Sequence, residues 1–120
     1  MISIVDDDSF AREGIAQLLQ SLGYPTTIFR SAEQFLESGC IAETTCLITD
    51  LQMPGMSGLD LQSRLRADGY DTPIIFITAY PEERVRTRAI KGGAVGFLSK
   101  PLREQSLVEC VNSAIASVRH

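Results

Sequence analysis

Acidic residues crowd the head of this chain as Asp6-Asp7-Asp8, and a further carboxylate stands at Asp50, a hydroxyl at Thr78 and an ammonium at Lys100, just ahead of Pro101. Each closes or follows a short apolar run. If those runs are parallel strands, their carboxyl ends share one edge of a sheet, which is where open α/β sheets bind ligands. Carboxylates gathered there without a cation would repel one another and raise each other's pKa, so their convergence implies a positive partner. A hard divalent ion suits the donors: Mg²⁺ takes octahedral oxygen ligands, is held by one or two carboxylates plus waters, and accepts a phosphate oxygen as another ligand. A plainer reading has Asp6, Asp7 and Asp8 capping a helix and favouring its positive end. That accounts for Asp8 but leaves Asp6 and Asp7, taken with Asp50, as too many charges unexplained. Lys100 as a solvated strand-end residue and Thr78 as an ordinary β-former are plainer readings of the same kind.

The elements that must position these groups are visible as alternation. Runs rich in β-branched residues at Ile2 to Val5, Thr27 to Phe29, Cys46 to Thr49, Ile74 to Thr78 and Gly96 to Ser99 are separated by helix-patterned stretches. Leu47-Ile48-Thr49 and Ile74-Ile75-Phe76-Ile77 are almost continuously apolar, as central parallel strands covered on both faces should be. The expected fold is therefore a doubly wound α/β sheet.

Asp8 or Ser9 can cap a first helix whose apolar face runs through Phe10, Ile15, Leu18, Leu19 and Leu22, with Gly23 to end it. Ser31-Ala32-Glu33-Gln34 reads as a capping box for a second helix through Phe35 and Leu36. Ser57 can cap a third helix through Leu61 and Leu65, ending near Asp68-Gly69. Pro81 suits the first turn of a fourth, with Glu82 and Glu83 near its N-terminus. Leu107, Val111, Ala114, Ile115 and Val118 recur at helical spacing in the last.

Composition removes several classes. The 120 residues suffice for one compact unit, residues 1–120, with no linker or repeat inside it. A net charge of -4 offers no cluster of Lys and Arg for displacing phosphate counterions, so direct nucleic-acid binding is not expected. No charged-then-apolar leader precedes Ile2, and no apolar run approaches the ~18 residues of a membrane span, so a soluble cytoplasmic protein without membrane contact is expected. The three cysteines, Cys40, Cys46 and Cys110, have spacings that suit neither a disulfide framework nor a zinc site, and they read as reduced thiols. His120, at the chain end, is the only histidine, which argues against histidine-based catalysis.

Taken together, VDDD after the first strand, TDLQMPGMSGLDL around Asp50, FITAY closing the fourth strand and GAVGFLSKP entering the fifth resemble the CheY-like receiver domains of two-component response regulators. The resemblance covers essentially the whole chain. MPGMSGLDL and GAVGFLSKPL are most similar to receivers preceding a helix-turn-helix output domain of the FixJ/NarL type. It implies a five-stranded parallel sheet of order 2-1-3-4-5 with five helices. It also implies an Asp50 that accepts a phosphoryl group from a sensor histidine kinase in the presence of Mg²⁺. In this resemblance the metal is held by Asp6, Asp7, Asp50 and Gln52: Asp7 is a direct ligand, Asp6 acts mainly through metal-bound water, Asp50 shares the ion, and the backbone carbonyl of Gln52 is a further ligand. Lys100 pairs with phosphoryl oxygens ahead of a cis bond to Pro101, Thr78 is the switch hydroxyl and Phe97 the switch aromatic. Two outcomes are implied: a homodimer formed on phosphorylation, or control of a C-terminal DNA-binding output domain outside this chain. A stand-alone receiver acting by protein–protein contact remains an alternative.

The chemistry is physically coherent. A carboxylate is a weak nucleophile, so phosphoryl transfer to it needs in-line placement and neutralisation of the equatorial oxygens. Mg²⁺, Lys100 and backbone N–H groups near Gln52 and Ala79 can share those oxygens. A haloacid-dehalogenase-like phosphatase needs an aspartate two residues past the nucleophile as acid/base, where this chain has Gln52. A flavodoxin-like cofactor site needs an uncharged loop after the first strand, and no G-x-x-x-x-G-K-[ST] is present for a P-loop. Tyr80, two residues past Thr78, is bulky enough to cover the site and slow hydrolysis. Phe97 lacks a hydroxyl, so it can switch only through packing. Met53-Pro54-Gly55-Met56 reads as a shaped loop rather than a methionine-rich surface.

Overall fold

The structure, a computed structural model, describes residues 1–118. His120 and the side chain of Val118 lie outside the described residues. Strands β1 (Ile2–Val5), β2 (Thr26–Phe29), β3 (Cys46–Asp50), β4 (Ile74–Thr78) and β5 (Gly96–Ser99) alternate with helices α1 (Ser9–Ser21), α2 (Ala32–Glu37), α3 (Gly58–Ala67), α4 (Glu83–Lys91) and α5 (Glu104–Val118). All pairings are parallel and the order is β2-β1-β3-β4-β5, as the resemblance implied. β3 runs one residue further than the apolar pattern suggested, because Asp50 still pairs with Ile77 in register.

The near-continuous apolar strands divide by parity, because successive side chains point to opposite faces. Ile2, Ile4, Ile48, Ile75 and Ile77 pack with Ile15 and Leu19 of α1 and Leu107 and Val111 of α5. Val5, Leu47, Ile74 and Phe76 pack with Phe35 of α2, Leu61 and Leu65 of α3 and Ala89 of α4. Cys46 lies in the first of these layers, where burial pushes its thiol up to about 12 and keeps it protonated; all three cysteines are free.

Several local expectations change. Phe10 is 88% exposed rather than part of the α1 face. It stands five residues before buried Ile15, a rotation of ~140° at helical pitch. Leu22 has the right phase but follows the last helical residue, as the C-cap ahead of Gly23 with φ +90°, and it is half exposed. In α2 only half of the capping box forms: Ser31 Oγ accepts the Gln34 N–H, whereas Gln34 Oε1 accepts from Arg30 N instead of the cap residue. Pro81 precedes α4 instead of opening it, since Glu82 is the N-cap. The full capping box belongs to α3, where Ser57 and Asp60 exchange hydrogen bonds.

Candidate functional site

The fold carries Asp6, Asp50, Thr78 and Lys100 to the same edge because β1, β3, β4 and β5 end in register there. Asp6 follows β1 and is buried. Its N–H donates to Phe29 O, Oδ1 accepts the Asp8 N–H at 2.9 Å, and Oδ2 lies 3.4 Å from Lys100 Nζ. Asp50 is also buried; its Oδ2 lies 3.1 Å from Lys100 Nζ and its Oδ1 accepts the Gln52 N–H at 3.2 Å. Asp7 is exposed at the rim. Carboxylate oxygens of Asp6, Asp7 and Asp50 all lie within 4.8 Å of one another. Asp8 takes no part in that group and caps α1 by accepting the Phe10 N–H, the role the plainer reading gave it.

Charge in this pocket is unbalanced. Burial pushes the Asp6 carboxyl above the ordinary range; the Asp8 N–H opposes this, the Asp50 charge adds to it, and Lys100 pulls the other way without prevailing. Burial alone would lower the Lys100 ammonium, but the hydrogen bond it donates to Asp50 and the charges of Asp6 and Asp50 outweigh that and hold Lys100 above its ordinary value. One ammonium thus serves two buried carboxylates, and a third carboxylate, Asp7, stands at the rim without it. The excess of oxygen donors and negative charge fits a hard divalent cation. Among the described residues, this is the group of acidic side chains with metal-ligand spacing.

Thr78, fully buried at the end of β4, is not joined to Asp50 or Lys100 through its side chain; its Oγ1 accepts the Tyr80 N–H at 3.0 Å. Its carbonyl accepts the Lys100 N–H, which ties the two strand ends together, and the Lys100–Pro101 bond is cis. Tyr80 is 68% exposed. Phe97 is half-buried, paired in register with Phe76, packed against the α2–α4 core layer and bordering a cavity of about 210 Å³ formed with Pro81, Glu82, Glu83 and Arg86. It therefore sits between core and surface rather than simply facing outward. The Gln52 side chain is exposed. Met53 and Met56 are partly buried against the core, as expected of a shaped loop.

Two supporting residues were missed by the sequence reading. A Cβ on Gly58 would come within 2.4 Å of the Asp50 carbonyl oxygen, so only glycine lets the start of α3 approach the end of β3. Arg12 folds back from α1 so that Nη1 donates to the Asp6 carbonyl at 2.8 Å. Gly58, the second glycine of MPGMSGLDL, could have been read as a close approach; Arg12 is an ordinary helical arginine until the loop is folded.

A doubly wound parallel sheet with an acidic pocket and a lysine at its carboxyl edge defines the class. Residues 2–112 match the family model of the response regulator receiver domain. The chain belongs to that family. It is 41% identical over 114 residues to nodulation protein W of Bradyrhizobium diazoefficiens, covering 95% of this chain and 50% of that protein. It is 37% identical to the transcriptional regulatory protein TdiR of Thauera aromatica, covering 96% and 51%. Among solved structures, the response regulator StyR superposes with a TM-score of 0.86 at 39% identity, covering 96% of this chain and 58% of that one. FixJ-N does so with a TM-score of 0.85 at 32% identity, covering 96% and 92%. The chain spans about half the length of these curated relatives. No helix among the described residues is long and apolar enough to cross a membrane.

Proposed function

We propose that residues 1–120 form a receiver unit in which Asp50 accepts a phosphoryl group from a phosphohistidine of a sensor kinase. The observation that carries this reading is the placement of Asp50: buried at the end of β3, 3.1 Å from Lys100 and grouped with Asp6 and Asp7. A carboxylate oxygen of Asp50 forms the new P–O bond as the P–N bond to the donor histidine breaks, and the electron pair leaves on that nitrogen. Lys100 supplies fixed positive charge to the phosphoryl oxygens, so little reorganisation is needed during transfer. Asp7 directly, Asp6 through water, Asp50 and the Gln52 carbonyl would hold Mg²⁺, which when bound would neutralise and orient the phosphoryl oxygens.

A protein donor is supported by the neighbouring surface. Exposed Phe10 lines an apolar groove of about 410 Å³ with Ala11, Leu18, Pro101 and Leu102, and Lys100 belongs to both groove and pocket. Such a partner, docked there, reaches Asp50 from the cytoplasmic solution.

Transmission follows from the hydroxyl. Thr78 Oγ1 already accepts from Tyr80, which leaves its own proton free to be donated to a new phosphoryl oxygen. Hydrogen bonds to charged groups contribute roughly 1.5–3 kcal/mol each, so Thr78 and Lys100 together supply ~3–6 kcal/mol. That is comparable with the ~5.5 kcal/mol needed to invert a 1:99 equilibrium. Movement of Thr78 toward Asp50 lets Phe97 repack beside its cavity and changes the surface of α4, β5 and α5, which then binds a second copy or an output domain. Relatives of twice this length, one of them named a transcriptional regulatory protein, support a DNA-binding output beyond this unit.

The test is labelling from acetyl phosphate or a kinase. Wild type should take up one base-labile, hydroxylamine-sensitive phosphoryl group in Mg²⁺, and Asp50→Asn none; undiminished labelling of Asp50→Asn would sink the assignment. Beryllofluoride should shift wild type, but not Thr78→Ala, toward a dimer in ultracentrifugation.

A further inference from the structure

Of the three acidic residues in the pocket, two are held by their own side chains. Asp6 is engaged by Asp8 and Lys100, and Asp50 by Gln52 and Lys100. Asp7 is different: exposed, its side chain makes no hydrogen bond or ion pair with any described residue. Its place in the pocket is set by the backbone that delivers it.

That backbone is gripped from α1. Arg12 is half-buried one turn into the helix, where its own N–H bonds to Asp8 O, and its guanidinium reaches back to the Asp6 carbonyl at 2.8 Å. This carbonyl belongs to the planar peptide unit that also contains the nitrogen and Cα of Asp7. The preceding amide of Asp6 is already fixed on Phe29 O. Holding the carbonyl therefore fixes the plane from which the Asp7 side chain departs. We infer that Arg12 is a positioning residue for the cation pocket: it aims Asp7 by anchoring the Asp6–Asp7 peptide.

The inference rests on the proposed Mg²⁺ site, and charge alone predicts the opposite sign. Arg12 is a cation close to a cation-binding cluster, so Coulomb repulsion makes its removal tighten Mg²⁺ binding. A positioning role makes removal weaken it. Supporting partners of metal ligands typically contribute about 10-fold or more in affinity, and a loss of about 10-fold is expected for Arg12→Met, which keeps the stem and loses the donor.

The experiment is a Mg²⁺ titration of the unphosphorylated protein by calorimetry and by amide NMR shifts of Asp7, with thermal unfolding as a control for the fold. Arg12→Met should bind about 10-fold more weakly, and Arg12→Lys, which keeps a cationic donor, should recover part of the loss. In an Asp7→Asn background Arg12→Met should have no further effect, because the residue it aims is gone. Equal or tighter binding by Arg12→Met, or an undiminished effect in the Asp7→Asn background, overturns the inference and leaves the site reading intact. A wild type that binds no Mg²⁺ overturns both. If Arg12→Met fails to fold, Arg12→Lys and the Asp7 amide shift in the metal-free protein carry the same comparison.

Discussion

Helices α3 and α4 are consecutive, lie on the same face of the sheet and have 10 and 9 residues, yet they are held in opposite ways. α3 has a complete capping box, buries Leu61, Gln62 and Leu65, and presses Gly58 onto the backbone of Asp50 and Leu51. α4 starts at Glu82 without a side-chain cap and buries only Ala89. Its anchors lie at the far end and come from its neighbour: Gln62 Nε2 donates to Ala89 O and Arg66 Nε to Gly92 O, both at 2.9 Å. The rigid helix adjoins the acidic pocket, whereas the free end of the loose one adjoins Tyr80, Pro81 and Phe97. Under the proposed function, the pocket geometry and the surface that changes belong to different helices, with stability unevenly distributed between them.

The largest expected effect tests that inequality directly. Leu65→Ala removes a fully buried side chain of α3 and should cost about 2–5 kcal/mol in urea unfolding. Val85→Ala, on the half-buried stripe of α4, should cost about 1 kcal/mol or less. Similar losses from the two would end the contrast. Next comes the tie itself. Gln62→Leu removes the side-chain donor of the Ala89 carbonyl, which keeps the Ala94 N–H, and should cost roughly 0.5–1.5 kcal/mol. Hydrogen exchange should then quicken through the last turn of α4 and leave α3 unchanged; unaltered protection around Ala89 would show that α4 is held by something other than α3.

Much of this was legible in the sequence because it is written in local alphabets. Strand runs such as Ile74-Ile75-Phe76-Ile77 report burial on both faces, and acidic residues at strand ends report the shared edge. The misreadings have local causes too. Phe10 looked like the start of an apolar face, but its phase is off by ~140°, and its apolar character belongs to a surface groove. Ser31-x-x-Gln34 matched a capping box whose glutamine bonds one residue further back, while Ser57-x-x-Asp60 forms the complete one with a shorter acid. What could not be read lies between elements: Arg12 reaching back six residues to the Asp6 carbonyl, Gln62 on Ala89 and Arg66 on Gly92 are polar residues whose partners exist only after folding.

A comparable effect separates the two helix starts. Ser57→Ala removes the α3 cap and should cost about 1 kcal/mol, measured by thermal unfolding. A negligible loss would mean that the tight seat of Gly58, rather than the cap, holds this end.

The smallest effect runs the other way and repairs α4. Glu82 has extended N-cap dihedrals, φ -125° and ψ 133°, in the same region as the capping residues Ser57 and Asp8, but its side chain makes no cap hydrogen bond. Glu82→Asp removes one methylene, keeps the charge near the positive end of the helix and places a carboxylate where N-cap residues accept from the next turn. Because the charge is unchanged, any gain reports the cap and not the helix dipole. The expected gain is roughly 0.5 kcal/mol, with slower exchange at the Arg84 and Val85 amides and none at Ala89, which is anchored already. If the proposed rearrangement around Phe97 carries the signal, fixing this end should oppose it, and the dimer proposed to form with beryllofluoride should weaken slightly in the same variant. Stability and exchange identical to wild type would mean that the start of α4 is already as well held as that of α3.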